Sequence, residues 1–281
     1  MSTGVGTYYE RLGRWNSVAR TLGYGGGRAT LTVHRALADP QAGGRATHTR
    51  LHDVLRAHLV VQAMPTVLDA GCGLGGTMLD LASALGATCT GLTLSPSQAA
   101  TAHAAARSRG LADRVGAHVR SYDEPPPGPY DVVVAIESLA HSADPAHSVR
   151  CLASVLAPGG VLAVVDDMPL VDDADPDLAW FKRGWRCPVL MSAAAYRQVL
   201  AAAGLSLEHD VDLTPACRPR TQRRLALLTR LNRAAHAVVP GAGWRAVMDS
   251  HMGGLALERL IRRGASEYRL LVARRPAVQV S

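Results

Sequence analysis

Three closely spaced glycines give the clearest chemical signal in this chain of 281 residues. The segment from Val67 to Gly76 runs VLDAGCGLGG, so Gly71, Gly73 and Gly76 fit the pattern GxGxxG. Because glycine has no Cβ, such a loop lets a ligand approach the backbone closely. The pattern is typical of a strand-to-helix turn that holds a nucleotide-like cofactor, and by itself it is equally compatible with a dinucleotide.

Asp69 lies two residues before the first of these glycines and changes which ligand the loop favours. A carboxylate at this position would repel the pyrophosphate of a dinucleotide. It would instead pair with the ammonium group of a methionine moiety, either directly or through a water. Asp69 therefore favours a sulfonium cofactor that carries an amino acid group.

A second motif, GLTLSPSQ at 91–98, follows the next predicted strand. Dinucleotide-binding proteins usually present an acidic side chain to the ribose at this point, and none is present here. The motif resembles that of class I S-adenosylmethionine-dependent methyltransferases, in the branch that includes the tocopherol, sterol, cyclopropane and sugar methyltransferases acting on small natural products. The resemblance continues through DVVVAIESLAH at 131–141 and VLAPGGVLA at 155–163, and it covers about residues 65–168 with a weaker echo at 265–276.

The resemblance implies S-adenosylmethionine as the cofactor and a set of residues that hold it. In that branch, the backbone at the positions of Thr93 and Leu94 and the side chain at Gln98 cover the ribose and adenine. Ser121 stands where the family commonly has an adenine-binding Asp, and Asp123 or the backbone at Tyr122 are the alternatives. The predicted cofactor site comprises Asp69, Gly71, Gly73, Thr93, Leu94, Gln98, Ser121, Tyr122 and Ile136.

The resemblance also implies where the methyl acceptor lies. His141 and Asp166 match positions that flank the acceptor in sugar and natural-product O-methyltransferases. A histidine of near-neutral pKa can take a hydroxyl proton as the methyl group arrives, and a nearby carboxylate can hold its ring in the useful tautomer. We therefore predict methylation of a hydroxyl oxygen, with His141 as general base and Asp166 as its partner.

Glu137 leaves a second mechanism open. In alkene C-methyltransferases of this branch, acidic residues near this position steady a carbocation, so C-methylation of a prenyl or other electron-rich carbon is the alternative. A nucleic-acid methyltransferase and a cofactor-binding protein without turnover are further alternatives. The sequence identifies neither the acceptor nor the methylated atom.

Several residues are candidates for contact with the substrate. Related enzymes use a tyrosine of an N-terminal helix to reach the cofactor carboxylate and a lid histidine to face the substrate, and Tyr8, Tyr9 and His34 lie about where those residues occur. Ordinary packing is the alternative for all three. Trp180 and Trp185 belong to an aromatic segment that would wall a substrate pocket or, alternatively, form a small hydrophobic core beneath a long loop.

Short β-rich segments alternate with helical ones in the part of the chain that must position these residues. Ser95 and Pro96 predict a helix start before 99–109, and Gly110 predicts its end. The alternation predicts a parallel, doubly wound α/β sheet, and the resemblance implies a Rossmann-like one with an antiparallel last strand. The β-rich segments are 66–70, 88–92, 117–119, 131–135, 161–165, 205–213 and 268–273.

These signals predict two regions. Residues 1–62 contain helix-like stretches broken by glycines and are expected to form an N-terminal helical lid. Residues 63–281 are expected to form the methyltransferase domain. This domain would carry a cap insertion at about 167–191, after the fifth strand, and an Arg-rich helical segment at about 214–264.

The positive charge is concentrated near the C-terminal end. The formal net charge is +7, and thirteen arginines from residue 214 onwards face only Asp249, Glu258 and Glu267. One interpretation is an anionic partner such as nucleic acid or a phosphorylated substrate. The other is a solvated helical face, because Leu225, Leu228 and Leu231 recur every three residues between arginines. No aromatic side chains are interleaved for base stacking, which favours a small-molecule substrate over nucleic acid.

The remaining composition bounds the environment of the protein. Its five cysteines lie far apart without metal-ligand spacing, which predicts a reducing compartment and no metal cofactor. The first twenty residues carry charges and no apolar run approaches eighteen residues, so we expect no signal peptide, no membrane span and a cytoplasmic location. The choice between a monomer and a homo-oligomer stays open.

Overall fold

A computed structural model of the protein describes residues 30–59, 62–238 and 241–277. Its first two strands form a short antiparallel hairpin, β1 (Leu37–Ala38) with β2 (Ala46–Thr47). The strands of the main sheet are β3 (Thr66–Ala70), β4 (Thr88–Thr93), β5 (Val115–Val119), β6 (Tyr130–Ile136), β7 (Leu156–Pro169), β8 (Ser206–Asp212) and β9 (Ser266–Arg274).

The main sheet has the order β5-β4-β3-β6-β7-β9-β8 within the described residues. Strands β3 to β7 pair in parallel, and β9 runs antiparallel to both of its neighbours. The predicted fold class, a Rossmann-like sheet with an antiparallel last strand, is confirmed. Among the described helices, none is both long and apolar enough to cross a bilayer.

Helices cover both faces of this sheet. They are α1 (Thr49–His58), α2 (Gly76–Leu85), α3 (Pro96–Ser108), α4 (Pro145–Ser154), α5 (Pro176–Trp185), α6 (Ala193–Ala202), α7 (Gln222–Val238) and α8 (Ala242–Arg262). The predicted start of α3 is confirmed, because the Ser95 hydroxyl accepts the backbone N–H of Gln98 and Pro96 is the first helical residue. Alternate residues of β6 serve the two faces. Val132 joins the apolar cluster with α2 and α3, and Val133 joins the cluster with α4 and α6.

The strand order places a crevice between β3 and β6. The chain runs outward from β3 to β5 and then returns to the other side of β3 as β6. In an open α/β sheet, ligands bind beyond the carboxyl ends of the strands at such a reversal. The predicted glycine loop follows β3, and the segment from Glu137 to His141 follows β6, so the fold brings these two motifs to one edge.

The segment at 167–191 packs onto the C-terminal helices. Gly184 of α5 crosses Gly253 of α8 so closely that a Cβ on Gly253 would lie 3.1 Å from the Cα of Gly184. Trp185 donates its indole N–H to the Ser250 backbone oxygen over 3.0 Å, and Trp180 packs against Leu225, Met252 and Leu255. Both tryptophans therefore contribute to helix packing, as in the alternative of a small hydrophobic core, and Trp180 also lines a small open cavity with Asn232 and Met252. The division into a lid at 1–62 and a catalytic domain stays a prediction.

Candidate active site

The glycine loop meets the end of β6 at Gly71. Gly71 has φ +100°, and a Cβ added there would lie 2.5 Å from the Cβ of Ser138, so this position excludes a side chain on two grounds. The Ser138 hydroxyl is buried and has no hydrogen-bond partner among the described residues. Sequence reasoning did not assign Ser138 a role. An unsatisfied buried hydroxyl beside the loop fits a polar atom of a bound cofactor.

Asp69 lies at the carboxyl side of β3, beneath the same loop. It is 3% exposed, and no side-chain hydrogen bond connects it to another described residue. Burial raises the pKa of its carboxyl to about 7. A buried carboxyl without a partner is costly, so Asp69 fits the predicted role of pairing with a cationic group of a ligand.

The end of β4 presents a polar pair. The Thr93 hydroxyl donates to Gln98 Oε1 over 2.6 Å and accepts the Ser95 backbone N–H over 3.2 Å. This hydrogen bond fixes the carbonyl oxygen of the Gln98 amide toward Thr93. The NH₂ group of the same amide therefore faces away from Thr93 and can donate to a ligand. The structure thus brings together Thr93, Leu94 and Gln98 where the sequence predicts the ribose and adenine.

The segment after β5 carries the three candidates for the adenine contact. Asp123 Oδ1 accepts the hydroxyl of Ser148 in α4 over 2.5 Å, and the Asp123 backbone N–H donates to Ser121 Oγ over 3.1 Å. Tyr122 donates its hydroxyl to the Ser138 backbone oxygen over 3.1 Å. One oxygen of Asp123 is therefore bonded to α4, and Ser121, Asp123 and the backbone at Tyr122 all stay candidates for the predicted adenine contact. Ile136, the last residue of β6, is half-buried.

His141 ends a short 3₁₀ turn, Leu139–His141, that follows β6. Its Nδ1 lies 3.4 Å from the Arg186 backbone oxygen and 3.9 Å from Cys187 Sγ. Burial lowers the pKa of its imidazole, and the Arg186 carbonyl opposes that shift in part. The ring is therefore neutral at neutral pH, which a general base requires.

Asp166 does not make the predicted hydrogen bond with His141. Its Oδ2 accepts the Tyr196 hydroxyl over 2.9 Å and the Ala140 backbone N–H over 3.1 Å. Burial, and to a smaller extent the neighbouring Asp167, together raise the pKa of this carboxyl to about 8. Asp166 thus anchors the turn that carries His141 through its backbone. The expectation failed because a residue's position along a strand does not specify which neighbour its side chain reaches.

Glu137 belongs to a partly buried cluster whose members the sequence did not group together. Its Oε1 accepts the Tyr268 hydroxyl over 2.8 Å and the Arg35 backbone N–H over 2.9 Å. The Arg35 guanidinium donates to both oxygens of Asp167, each over 3.0 Å. Burial raises the pKa of Glu137, and the Asp167 carboxylate raises it further, whereas Arg35 opposes both. Asp167 is 2% exposed.

His34 belongs to a histidine cluster and does not take the predicted place facing the substrate. Its Nε2 lies 3.1 Å from His52 Nε2, and its Nδ1 lies 3.0 Å from the Arg35 backbone oxygen, so both ring nitrogens have protein partners. Burial lowers the pKa of His34 to about 3. The ring therefore stays neutral and packs the segment before β1 against α1. Tyr8 and Tyr9 lie outside the described residues.

A family model described as a methyltransferase domain matches residues 24–210 of this sequence, about two thirds of the chain. The chain belongs to this family. The match spans the glycine loop, the β4 motif, the turn with His141 and the insertion after β7. It confirms the family that the motifs predict and, with it, S-adenosylmethionine as the cofactor.

Two named relatives agree with this assignment. The chain is 34% identical over 173 residues to a probable chloroplastic tocopherol O-methyltransferase of Oryza sativa subsp. japonica, covering 57% of this chain and 45% of that protein. It is 34% identical over 177 residues to 27-O-demethylrifamycin SV methyltransferase of Amycolatopsis mediterranei, covering 61% of this chain and 65% of that protein. The chain thus aligns with less than two thirds of either relative.

The fold of the cyclase SpnF matches with a TM-score of 0.77 at 23% identity and covers 99% of this chain and 97% of that one. At this identity the similarity concerns the fold alone.

The described residues fit S-adenosylmethionine. Asp69 offers a buried carboxyl for the ammonium group, Ser138 offers an unsatisfied hydroxyl, and Gln98 offers an oriented amide. Among the described residues, no group of three or more His, Cys, Asp or Glu side chains is arranged to hold a metal ion.

Proposed function

We propose that the protein is an S-adenosylmethionine-dependent methyltransferase that methylates a hydroxyl group of a small natural product, with His141 as general base. The observation that carries this proposal is the neutral, half-buried imidazole of His141 on the turn that begins beside Gly71. Two relatives whose names specify oxygen as the methylated atom support a hydroxyl acceptor.

The cofactor supplies a methyl group on a positively charged sulfur, and the protein aligns the acceptor with it. Asp69 holds the ammonium end, and Gln98 and Ser138 donate to polar atoms along the cofactor. The Arg186 carbonyl beside Nδ1 of His141 favours the tautomer with its proton on Nδ1, so Nε2 is the basic atom. Nε2 takes the acceptor's hydroxyl proton as the oxygen attacks the methyl group.

The test measures formation of S-adenosylhomocysteine with a panel of chromanol phenols and hydroxylated macrolactams, the acceptor classes that the named relatives suggest. We expect His141→Ala to lower kcat at least about 100-fold, the contribution typical of a general base. His147→Ala, which removes an exposed histidine of α4, is the matched control and should keep full activity. Undiminished turnover in His141→Ala would remove His141 from the mechanism.

C-methylation is the second candidate, and the geometry of Glu137 supports it. Glu137 has φ +49°, a conformation that non-glycine residues rarely adopt, and it is half-buried directly after β6. A carboxylate there would stabilise a carbocation formed when a methyl group adds to an alkene. Loss of activity on a prenyl diphosphate in Glu137→Gln, with retention in His141→Ala, would favour this candidate.

A protein that binds the cofactor without consuming it is a further alternative, because a protein of the same fold is named as a cyclase. Mass spectrometry of the bound cofactor after incubation with the acceptor panel separates the two cases. Recovery of unchanged S-adenosylmethionine, together with a converted acceptor of unchanged mass, would replace the proposed methyl transfer by an isomerisation.

A further inference from the structure

Arg35 joins four parts of the chain at the acceptor side of the sheet. Its backbone N–H donates to Glu137 after β6, and its guanidinium donates to both oxygens of Asp167 in β7. The guanidinium also lies over the ring of Tyr268 in β9, 5.2 Å from its centroid. Tyr268 in turn donates to the same oxygen of Glu137 that Arg35 contacts. The four groups form one closed network.

The charge of Arg35 decides whether this network is stable. Asp167 is buried and Glu137 is half-buried, and the two carboxyl groups are close enough that the charge of Asp167 raises the pKa of Glu137. Burial by itself would lower the pKa of the Arg35 guanidinium, but Asp167 raises it, and the net direction is upward. Without Arg35, Asp167 would be a buried carboxylate without a cation beside Glu137.

Glu137 is the residue through which such a change would reach the cofactor. Its left-handed backbone is fixed by an N–H bond to the Val165 oxygen over 2.8 Å and by the two hydrogen bonds to its carboxyl. The next residue, Ser138, lies against Gly71. Release of Glu137 would therefore shift Ser138 and the turn that carries His141.

The segment before Arg35 touches the glycine loop directly. A Cβ on Gly76 would lie 2.7 Å from the Thr30 backbone oxygen, and one on Gly73 would lie 3.2 Å from Cγ2 of Val33. The six residues from Thr30 to Arg35 therefore contact the cofactor loop at one end and the acceptor side at the other.

We propose that Arg35 is a positioning residue that holds Glu137 and, through Ser138, the cofactor loop in their binding geometry. The role in acceptor chemistry rests on the proposed function, but the effect on cofactor binding does not. Arg35 neutralises Asp167, so Glu137 keeps its hydrogen bonds, and it fastens the segment that covers Gly73 and Gly76.

Calorimetric binding of S-adenosylhomocysteine to the full chain tests this proposal without an acceptor. We expect Arg35→Ala to raise Kd at least tenfold and Arg35→Lys, which keeps the charge but not the two-oxygen contact, to have a smaller effect. The double variant Arg35→Ala with Asp167→Asn should recover most of the affinity, because the unpaired carboxylate is gone.

Arg269→Ala is the matched control. Arg269 is an ion-paired arginine of similar exposure, 14% against 17% for Arg35, and it pairs with Asp210 at the far edge of the sheet. Its loss should lower the thermal midpoint and leave Kd unchanged. Wild-type affinity in Arg35→Ala, or a double variant no better than Arg35→Ala, would overturn the proposal. A wild-type protein that binds the ligand but methylates no acceptor would contradict only the proposed function.

Discussion

At the scale of single residues, Asp69 links cofactor binding to pH. Burial raises the pKa of its carboxyl to about 7, so in the free protein it is mostly protonated below that pH and ionised above it. Only the ionised form attracts the ammonium group of the cofactor. We therefore expect Kd for S-adenosylhomocysteine to fall as the pH rises through about 7. The trend should disappear in Asp69→Asn, and calorimetry on both sides of neutrality checks it.

The same carboxyl has the opposite effect on the stability of the free protein. In the unfolded chain Asp69 ionises near pH 3.8, whereas in the folded protein it ionises near 7. Between these values the folded state binds more protons, so the free energy of unfolding decreases as the pH rises, by at most about 4 kcal/mol. Asp69→Asn should therefore gain stability relative to the wild type with rising pH. Denaturant unfolding at pH 5 and pH 8 measures this difference, and a constant difference would contradict it.

At the scale of elements, the crossing of α5 and α8 depends on Gly184. A Cβ added at Gly184 would clash with the Asp249 backbone oxygen and would lie 2.8 Å from the Cα of Gly253. Alanine is normally favoured over glycine inside a helix by about 1 kcal/mol. Here we expect Gly184→Ala to destabilise the protein by about 2 kcal/mol or more, because neither backbone can move away freely.

Gly116→Ala is the control for this substitution. The added Cβ at Gly116 would meet only His118 Nε2, at 3.8 Å, so the change should be neutral or slightly stabilising. Thermal unfolding compares the two variants. Equal midpoints would mean that α5 and α8 do not cross at Gly184.

Two leucines of α7 that belong to the same three-residue spacing in the sequence differ in burial. Leu225 is 1% exposed and packs against Met252 and Leu255, whereas Leu231 is 56% exposed. Leu225→Ala should therefore cost about 2–5 kcal/mol, and Leu231→Ala should change stability by less than about 0.5 kcal/mol. Chemical denaturation of both variants provides the comparison. A large loss in Leu231→Ala would show that the outer face of α7 is covered in solution.

The leucines of α7 show where local sequence patterns stop being informative. A spacing of three residues suggests one apolar stripe, but a helix turns 100° per residue, so positions 225, 228 and 231 rotate steadily away from the core. The strands were easier to predict because β3 and β6 are continuous apolar runs bounded by turn residues. The bounds of β7 were not predicted: Gly160 accepts the Arg275 backbone N–H over 2.8 Å, so strand pairing extends through the Pro-Gly-Gly sequence.

Some residues of the candidate site could likewise be predicted from local sequence patterns, and others could not. Asp69, Gly71, Thr93 and Gln98 could be predicted because each lies within a few residues of a strand end, where a short motif fixes the local geometry. The network of Arg35, Glu137, Asp167 and Tyr268 could not, because its members are distant in sequence and meet only through the order of β6, β7 and β9. No short-range pattern carries that information.

At the scale of the whole molecule, ion pairs within the protein neutralise part of the positive charge near the C-terminal end. Arg259 pairs with Asp177 over 2.7 Å, Arg263 pairs with Asp175 over 2.6 Å, and Arg220 pairs with Glu258. The first two pairs join α8 to the acidic insertion that contains α5. The local excess of arginine therefore complements the local excess of Asp, and it serves packing between these segments.

The exposed arginines of α7 are the residues that would bind the phosphates of a nucleic-acid substrate. Arg223, Arg224, Arg230 and Arg233 are exposed, and Leu227 and Leu231, each 56% exposed, lie among them. If these four arginines contacted four phosphates of a single-stranded nucleic acid, the logarithm of the binding constant would fall with the logarithm of the salt concentration with a slope of about −3. A tenfold rise in salt would then weaken binding about a thousandfold. We expect far shallower dependence, because the leucines interrupt any phosphate track. Fluorescence anisotropy of a labelled RNA across a tenfold range of salt measures the slope. A steep slope that is lost in Arg223→Glu with Arg230→Glu, accompanied by methylation of that RNA, would replace the small-molecule acceptor by a nucleic acid.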